Sequence, residues 1–174
     1  LQFIDLDNFK QLNDTQGHDM GDLLLQQVAK RLTGCMRQGD TVARLGGDEF
    51  VVMVEELSDN REEAAAQAEM IGEKILAAVS MSYKLAGLDY QITPSIGITL
   101  YCDHEQSTDE LLKQADLAMY QSKSAGRNTL RFFDPAMQAV ITTRVKLEND
   151  IRQGLLKDEF LLYYQPQINR EGIP

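Results

Sequence analysis

The chain has 174 residues, enough for one full domain and part of another, and its composition, 43% hydrophobic and 25% charged, is that of a soluble globular protein. No apolar run reaches membrane-spanning length, and the formal net charge of -10 argues against a general nucleic-acid binder, which would present a basic face. Because the chain opens at Leu1 with a strand-like run rather than with Met, we expect a fragment of a longer cytoplasmic protein, in which only upstream segments would provide a membrane association. Cys35 and Cys102 are expected to be buried, reduced thiols.

The first half of the chain alternates strand and helix patterns. Residues 1–6 predict a strand, residues 7–14 a short helix, and residues 19–36 a helix that Asp19 caps. Residues 41–45 and 50–54 predict the two strands of a hairpin. A third helix, capped by Ser58-Asp59-Asn60, is expected to run to about residue 80.

The second half predicts a strand pair, residues 83–88 and 90–101, that turns at residues 87–89. A helix follows from Ser107 to about Ser124, where Gly126 ends it, and residues 129–133 form a last strand. This order predicts an α+β, ferredoxin-like fold, in which a central, mostly antiparallel sheet carries its helices on one face. Because the pattern changes after residue 133, we predict a first domain at 1–133, a linker helix at 134–157 and the beginning of a second domain at 158–174.

The predicted hairpin carries Arg44-Leu45-Gly46-Gly47-Asp48-Glu49, two glycines followed by two carboxylates. Paired positive-φ residues suit the primed turns of hairpins, so the motif alone predicts a tight turn whose acidic residues face water. Carboxylates also end the first strand, at Asp5 and Asp7. If strand and hairpin are neighbours, Asp5 and Asp48 converge at one edge of the sheet, where the Leu6 carbonyl adds a ligand for Mg²⁺. The alternative is helix capping, which Asp7 fits well.

Two further pairs could recognise a nucleotide. Asn13 and Asp22 flank a turn; a carboxylate accepts both the N1–H and N2–H of guanine, and an amide serves its O6 or N7, so this pair would select guanine over adenine. Lys123 and Arg127 lie four residues apart around a helix end and could grip phosphates. The alternatives are plain capping residues for the first pair and cations that complement the helix dipole for the second.

The motif segments stand in order from the amino end to about Phe133: residues 5–10, 13–14, 17–22, 44–50, 95–97 and 115–120, with Lys123 and residues 126–128. Together they resemble the GGDEF family of diguanylate cyclases, at that family's spacing. The tail, residues 155–166, resembles the opening of an EAL-type cyclic dinucleotide phosphodiesterase domain and stops before that family's catalytic motifs. The resemblance implies a nucleotidyl-cyclase-like fold, with a GGDEF domain at 1–133 and a truncated EAL domain from 158.

The resemblance also assigns roles to residues. Asp5, Asp48 and the Leu6 carbonyl would hold two Mg²⁺ (or Mn²⁺) ions per active half-site, and Asp48 and Glu49 would be the catalytic carboxylates. Asn13 and Asp22 would read guanine. The remaining substrate contacts would be Phe9, Gly46 and Gly47, with Lys10, Lys123 and Arg127 on phosphate. A side chain on either glycine would block the nucleotide's approach.

The implied reaction joins two GTP into cyclic di-GMP and releases pyrophosphate twice, as each 3′ hydroxyl attacks the α-phosphorus of the other GTP. Because one domain holds one GTP, turnover would need a two-fold symmetric homodimer. Arg37-Gln38-Gly39-Asp40 stands where the family carries its RxxD inhibitory site for cyclic di-GMP. There Arg37 would pair with guanine O6 and N7 and Asp40 with the other edge; the alternative is a salt-bridged turn.

A second interpretation makes the chain a GTP-binding regulatory domain that controls an attached EAL cyclic di-GMP phosphodiesterase. Degenerate domains of that kind usually lose motif residues, and this chain keeps every one of those named above. The same completeness disfavours a purely structural or dimerisation domain.

Overall fold

The computed structural model describes residues 1–101, 106–135, 147, 150–157 and 159–161. Its strands and helices are, in chain order, β1 (Gln2–Leu6), α1 (Phe9–Gln16), α2 (His18–Cys35), β2 (Thr41–Gly46), β3 (Glu49–Met53), α3 (Arg61–Val79), β4 (Tyr83–Leu85), β5 (Leu88–Tyr90), β6 (Pro94–Ile98), α4 (Thr108–Ser124) and β7 (Leu130–Phe132).

Five of the strands form the central sheet, in the order β2-β3-β1-β6-β7. The β6–β7 pair is parallel and the other three pairs are antiparallel, so the predicted α+β class with a mostly antiparallel sheet is confirmed. Each residue of β1 is buried, as expected of the middle strand of a sheet that is covered on both faces.

The prediction that the helices lie on one face is wrong, because they pack against both. Alternation along β1 sends Ile4 into the larger core, with α2 and α3, and Phe3 into a smaller core, with Met119 of α4. Gly97 of β6 permits the close approach of α4, since a Cβ atom there would lie 1.9 Å from the Ala115 carbonyl oxygen. The residues of β1 that face α4 are therefore the odd-numbered ones, which include Asp5.

The predicted strand pair over residues 83–101 is in fact three strands. The β4–β5 hairpin turns at Ala86-Gly87, both at positive φ, and forms a sheet of its own. Pro94 begins β6, which joins the central sheet instead. Proline has no backbone N–H to donate to a neighbouring strand, so it is tolerated at the first residue of a strand.

The helix caps agree with the sequence at two ends and differ at two. Asn60 caps α3 by accepting from the backbone N–H groups of Glu62 and Glu63, and Ser107 caps α4. Asp19, by contrast, lies in the first turn of α2, whose N-cap is Gly17. Asp7 does not cap α1 either, since its carboxylate is held by other partners, which are described below.

The chain divides into two compact units, Leu1–Met137 and Gln138–Pro174. In the second unit residues 150–156 are helical. Most of the predicted linker helix, the strand around residues 160–164 and Cys102 lie outside the described residues, so the boundaries at 133 and 157 stay predictions. Within the part of the chain that the structure describes, no helix is both long and apolar enough to cross a membrane.

Candidate active site

The carboxyl end of β1 brings Asp5 beside the β2–β3 hairpin and the end of α4. Asp5 pairs in register with Glu49 of β3 on one side and with Ser95 of β6 on the other. Its side chain points to the α4 face, and Lys123 in the last turn of α4 places its Nζ 2.8 Å from Asp5 Oδ2. The sheet register and the α4 contact thus bring the hairpin and one predicted phosphate cation, Lys123, to the end of β1.

Asp5 lies within electrostatic reach of Asp48, the other predicted metal carboxylate. Burial raises the pKa of Asp5, and the hydrogen bond from Lys123 lowers it. The negative charge of Asp48 raises this pKa further, and the charge of Asp7 adds a smaller increase. An enclosed carboxylate that a second carboxylate repels is stabilised by any cation placed between them.

The hairpin differs in detail from the predicted Gly-Gly turn. Gly46 ends β2 and pairs with Glu49, which leaves Gly47-Asp48 as the two-residue loop, with a positive φ at Gly47. A bulge leaves Leu45 without a partner in β3, and Arg44 Nε donates to the Gly47 carbonyl at 2.9 Å. Among the described residues, chain neighbours aside, no atom lies within 4 Å of a Cβ built at Gly46 or at Gly47, so these residues leave space over the hairpin for a ligand.

The packing of α1 against α2 brings Asn13 close to the segment of α2 that carries Asp22. Asn13 Oδ1 is buried without a hydrogen-bond partner, and it would lie 2.0 Å from a Cβ built at Gly21, the neighbour of Asp22. A buried acceptor without a partner is destabilising unless a ligand donates to it. The pair therefore fits the predicted reading of a base that presents donors.

A cleft of about 350 Å³ adjoins Asp22. Its lining combines the apolar side chains of Leu25 and Phe50 with the charged side chains of Asp22 and Arg44. An apolar cleft with polar groups at one edge is the usual form of a site for a flat aromatic ring. The sequence had indicated no role for Arg44, although its place two residues before the glycine pair was a signal.

The other predicted substrate residues have different surroundings. Lys10 is exposed on α1 and forms no ion pair with any residue that the structure describes. Phe9 is 6% exposed and packs in the core, so the structure gives no surface for the predicted contact with substrate. The Leu6 side chain is likewise buried. Because that side chain is a hydrocarbon, the predicted metal contact can involve only the backbone carbonyl.

The alternative that Asp7 caps a helix is wrong, since Asn8 is the N-cap of α1. The Asp7 carboxylate accepts from the hydroxyls of Thr93 and Ser95, each at 2.7 Å, and from the backbone N–H of Asn128 at 3.1 Å. Arg127, the second predicted phosphate cation, has its Nε 4.0 Å from Asp7 Oδ1. The sequence signal was the position of Asp7, directly after the last residue of β1 and two residues after Asp5.

The predicted product site forms a salt-bridged turn. Arg37 Nε lies 3.6 Å from Asp40 Oδ1, and the guanidinium also donates to the carbonyls of Glu55 and Glu56. Asp40 accepts from the backbone N–H of Arg37 at 3.0 Å. A guanine that paired with Arg37 would have to replace the carbonyl contacts, so the geometry is that of the alternative interpretation.

The donor set at Asp5 fits a metal that the substrate completes. Among the described residues no group of three or more His, Cys, Asp or Glu side chains is arranged to hold a metal ion. Two carboxylates and one carbonyl are, however, what Mg²⁺ takes from a protein when phosphate oxygens fill its remaining positions. The Lys123 ammonium on Asp5 stands where such a cation would neutralise the same charge.

Comparisons with known proteins agree with this geometry. The family model for the diguanylate cyclase GGDEF domain matches residues 1–129. The chain is 43% identical to MucR of Pseudomonas aeruginosa, a bifunctional diguanylate cyclase/cyclic di-GMP phosphodiesterase, and 37% identical to NbdA of the same organism, a cyclic di-GMP phosphodiesterase. Both alignments cover 95% of this chain but only 23% of MucR and 20% of NbdA, so the chain spans less than a quarter of these relatives.

Solved structures show the same similarity. The GGDEF domain of YfiN (TpbB) from P. aeruginosa superposes with a TM-score of 0.74 at 37% identity, covering 81% of this chain and 80% of that chain. The GGDEF domain of DgcB from Caulobacter crescentus, solved in complex with c-di-GMP, gives a TM-score of 0.65 at 31% identity and covers 75% of each chain. The residues that the family model matches include Asp5, the hairpin and α4.

Proposed function

Since the chain belongs to the GGDEF family of diguanylate cyclases, we propose that it condenses two GTP molecules into cyclic di-GMP with release of pyrophosphate. The observation that carries the proposal is the meeting of Asp5 and Asp48, with Lys123 bound to the first of them. Two close carboxylates with a cation beside them match the charge pattern that a nucleoside triphosphate and its metal ions require. The GTP substrate would place the domain in the cytoplasm.

The guanine end of the substrate would lie at the α1–α2 contact. Asn13 and Asp22 would take the guanine edge, and the ring would lie in the cleft against Leu25 and Phe50. From there the nucleotide would pass over Gly46 and Gly47, where no protein atom intrudes. Selection of guanine over adenine would come from the buried Asn13 acceptor and the Asp22 carboxylate, which adenine would leave without donors.

The triphosphate end would lie between the hairpin and α4. Asp5, Asp48 and the Leu6 carbonyl would hold Mg²⁺ or Mn²⁺, which would supply charge neutralisation at the α-phosphate and a lower pKa for the attacking 3′ hydroxyl. Lys123 would move from Asp5 to phosphate, and Arg127, which faces Asp7, would join it. Lys10, exposed on α1, would be a further phosphate contact. Glu49, in register with Asp5, would lie beside the reacting groups.

Turnover would require a second copy of the domain. The 3′ hydroxyl that one domain holds must attack the α-phosphorus held by another, so two domains would face each other in a two-fold homodimer. Holding the two substrates in register supplies much of the rate, because proximity is worth several kcal/mol of barrier. Cyclic di-GMP would then restrain the enzyme at Arg37 and Asp40, once Arg37 had released the carbonyls that it contacts in this structure.

The regulatory interpretation has its own support. NbdA, which matches 95% of this chain, is a cyclic di-GMP phosphodiesterase, and MucR combines both activities. A domain that binds GTP without cyclising it, and that controls an attached EAL phosphodiesterase, would keep the guanine cleft and the phosphate cations. It would not need Asp48 to be catalytic.

One experiment separates the two functions. The full-length protein is mixed with GTP and Mg²⁺, and products are separated by chromatography, for the wild type, for Asp48→Ala, and for Asp59→Ala as an exposed acidic control in another loop. The cyclase proposal expects cyclic di-GMP from the wild type and from Asp59→Ala, and none from Asp48→Ala. GTP binding without any synthesis, together with a GTP-dependent change in cyclic di-GMP hydrolysis, would establish the regulatory function instead.

A further inference from the structure

The carboxylate of Asp7 is the most enclosed in the site, with its side chain 2% exposed. Both of its oxygens are used: Oδ1 accepts from Ser95, and Oδ2 accepts from Thr93 and from the backbone N–H of Asn128. A buried carboxylate persists in a fold only when such donors replace its water. Asp7 therefore joins the end of β1, the start of β6 and the turn after α4.

The turn after α4 has a backbone that needs an anchor. Gly126, Arg127 and Asn128 all have positive φ, of 115°, 64° and 46°. Left-handed backbone is unfavourable for a non-glycine residue, and two such residues stand here in succession. The hydrogen bond from Asn128 N–H to Asp7 Oδ2, at 3.1 Å, holds this conformation, and Ser80 donates to the Asn128 side chain at 3.1 Å.

The conformation of this turn decides where Arg127 points. Its side chain is 52% exposed, and Nε faces Asp7 Oδ1 at 4.0 Å. The two terminal nitrogens of its guanidinium form no hydrogen bond with any residue that the structure describes, so they are available to an anion. A guanidinium whose Nε faces a carboxylate, and whose two terminal nitrogens are available, is oriented for a bidentate phosphate contact.

We propose that Asp7 is a positioning residue for the triphosphate: by holding the Asn128 N–H and facing Arg127 Nε, it fixes the turn that presents the Arg127 fork to the phosphates of GTP. The proposal rests on the proposed function in one respect, since it takes Arg127 to contact the triphosphate. Asp7 itself touches neither the nucleotide nor its metal, and acts through the turn.

The first test is a double-mutant cycle read out as ligand affinity. Calorimetry in excess Mg²⁺ compares 3′-deoxy-GTP, which lacks the attacking hydroxyl, with 3′-deoxy-GMP, which lacks the outer phosphates. Asp7→Asn is expected to lower the ratio of the two affinities about tenfold, the contribution of one charge-assisted hydrogen bond. In an Arg127→Ala background the same substitution is expected to have no further effect, because residues that act as a unit are not additive.

Thr99→Val serves as the matched control. It removes a different buried polar group, the Thr99 hydroxyl, which follows β6 and donates to Gln114 Oε1 at 2.9 Å. The control is expected to leave the affinity ratio unchanged. The proposal is overturned if Asp7→Asn leaves the ratio unchanged, if its effect adds in full to that of Arg127→Ala, or if Thr99→Val lowers the ratio as much.

The second test needs no nucleotide. Amide hydrogen exchange, followed by NMR, is expected to be faster at Asn128 in Asp7→Asn than in the wild type, and not in Thr99→Val. Unchanged exchange at Asn128 would overturn the anchor whatever the affinities are. If the wild type shows no preference for 3′-deoxy-GTP over 3′-deoxy-GMP, it is the proposed function that fails, and exchange alone then decides whether Asp7 holds the turn.

Discussion

Lys123 Nζ lies 2.8 Å from Oδ2 of Asp5, across the gap between the last turn of α4 and the end of β1. The contact neutralises a carboxylate that burial and the charge of Asp48 both disfavour. The same ammonium is the predicted phosphate contact. Under the proposed function, Lys123 would leave Asp5 when a metal-bound triphosphate arrives, and the ion pair would be the state that substrate and metal displace together.

Asp5→Asn should stabilise the metal-free protein near neutral pH, by about 0.5–1 kcal/mol. Burial raises the pKa of Asp5 above its ordinary 3.8, so the group takes up protons on folding. Its contribution to stability then falls as pH rises through 3.8 and up to the raised value, and stays unfavourable above it. Chemical unfolding of wild type and variant from pH 3 to 8 measures the difference, which should grow with pH across this window and then level off. A variant less stable than the wild type at neutral pH would show that the Lys123 contact outweighs the burial of the charge.

Gly21→Ala should impair recognition of the base more than stability. The added Cβ would lie 2.0 Å from Asn13 Oδ1, the end of a side chain that can turn away. Alanine favours the helix by about 1 kcal/mol, which offsets part of the crowding. We expect little change in the unfolding midpoint but a loss of roughly tenfold in the preference for GTP over ATP, the worth of one hydrogen bond to a buried group. Competition binding measures the preference, and an unchanged one would exclude Asn13 from base recognition.

Gly97→Ala and Gly34→Ala form a matched pair for packing. At Gly97 a Cβ would lie 1.9 Å from the Ala115 carbonyl oxygen. The clash is between the backbones of β6 and α4, which cannot move aside as a flexible side chain could. We expect a loss of about 3 kcal/mol or more, or failure to fold. At Gly34, within α2, nothing lies within 4 Å, so alanine should stabilise by about 0.5–1 kcal/mol. Urea unfolding compares them, and equal effects would contradict the close approach of α4 to β6.

Arg37→Ala should relieve inhibition by cyclic di-GMP and slightly destabilise the fold. The guanidinium contacts Asp40 and the carbonyls of Glu55 and Glu56, exposed contacts that together are worth about 1 kcal/mol. Initial rates of pyrophosphate release with increasing cyclic di-GMP measure inhibition in the full-length protein. Arg37→Lys keeps the charge but not the fork, and we expect it to be relieved as well, since one ammonium cannot contact O6 and N7 in the same geometry. If cyclic di-GMP still inhibited both variants fully, Arg37 would have no part in product inhibition and would only stabilise the turn.

The sequence by itself predicted most of the elements, although it merged β4, β5 and β6 into one strand pair. The strand-like run of β1, the glycine signal of the hairpin and the Asn60 and Ser107 caps are local patterns, so local propensity was enough to place them. The approach of Asp5 to Asp48 followed from a single assumption, that the strand and the hairpin are neighbours, and the β1–β3 register meets it.

Only the tertiary structure decided the rest, because those features depend on residues far apart in the chain. The position of α4 on the second face of the sheet follows from the space that Gly97 leaves for it. The role of Asp7 follows from donors at residues 93, 95 and 128, which no local pattern connects to it. Long-range packing and hydrogen bonding, rather than propensity, therefore set which face of the sheet carries the candidate site and how its cations are held.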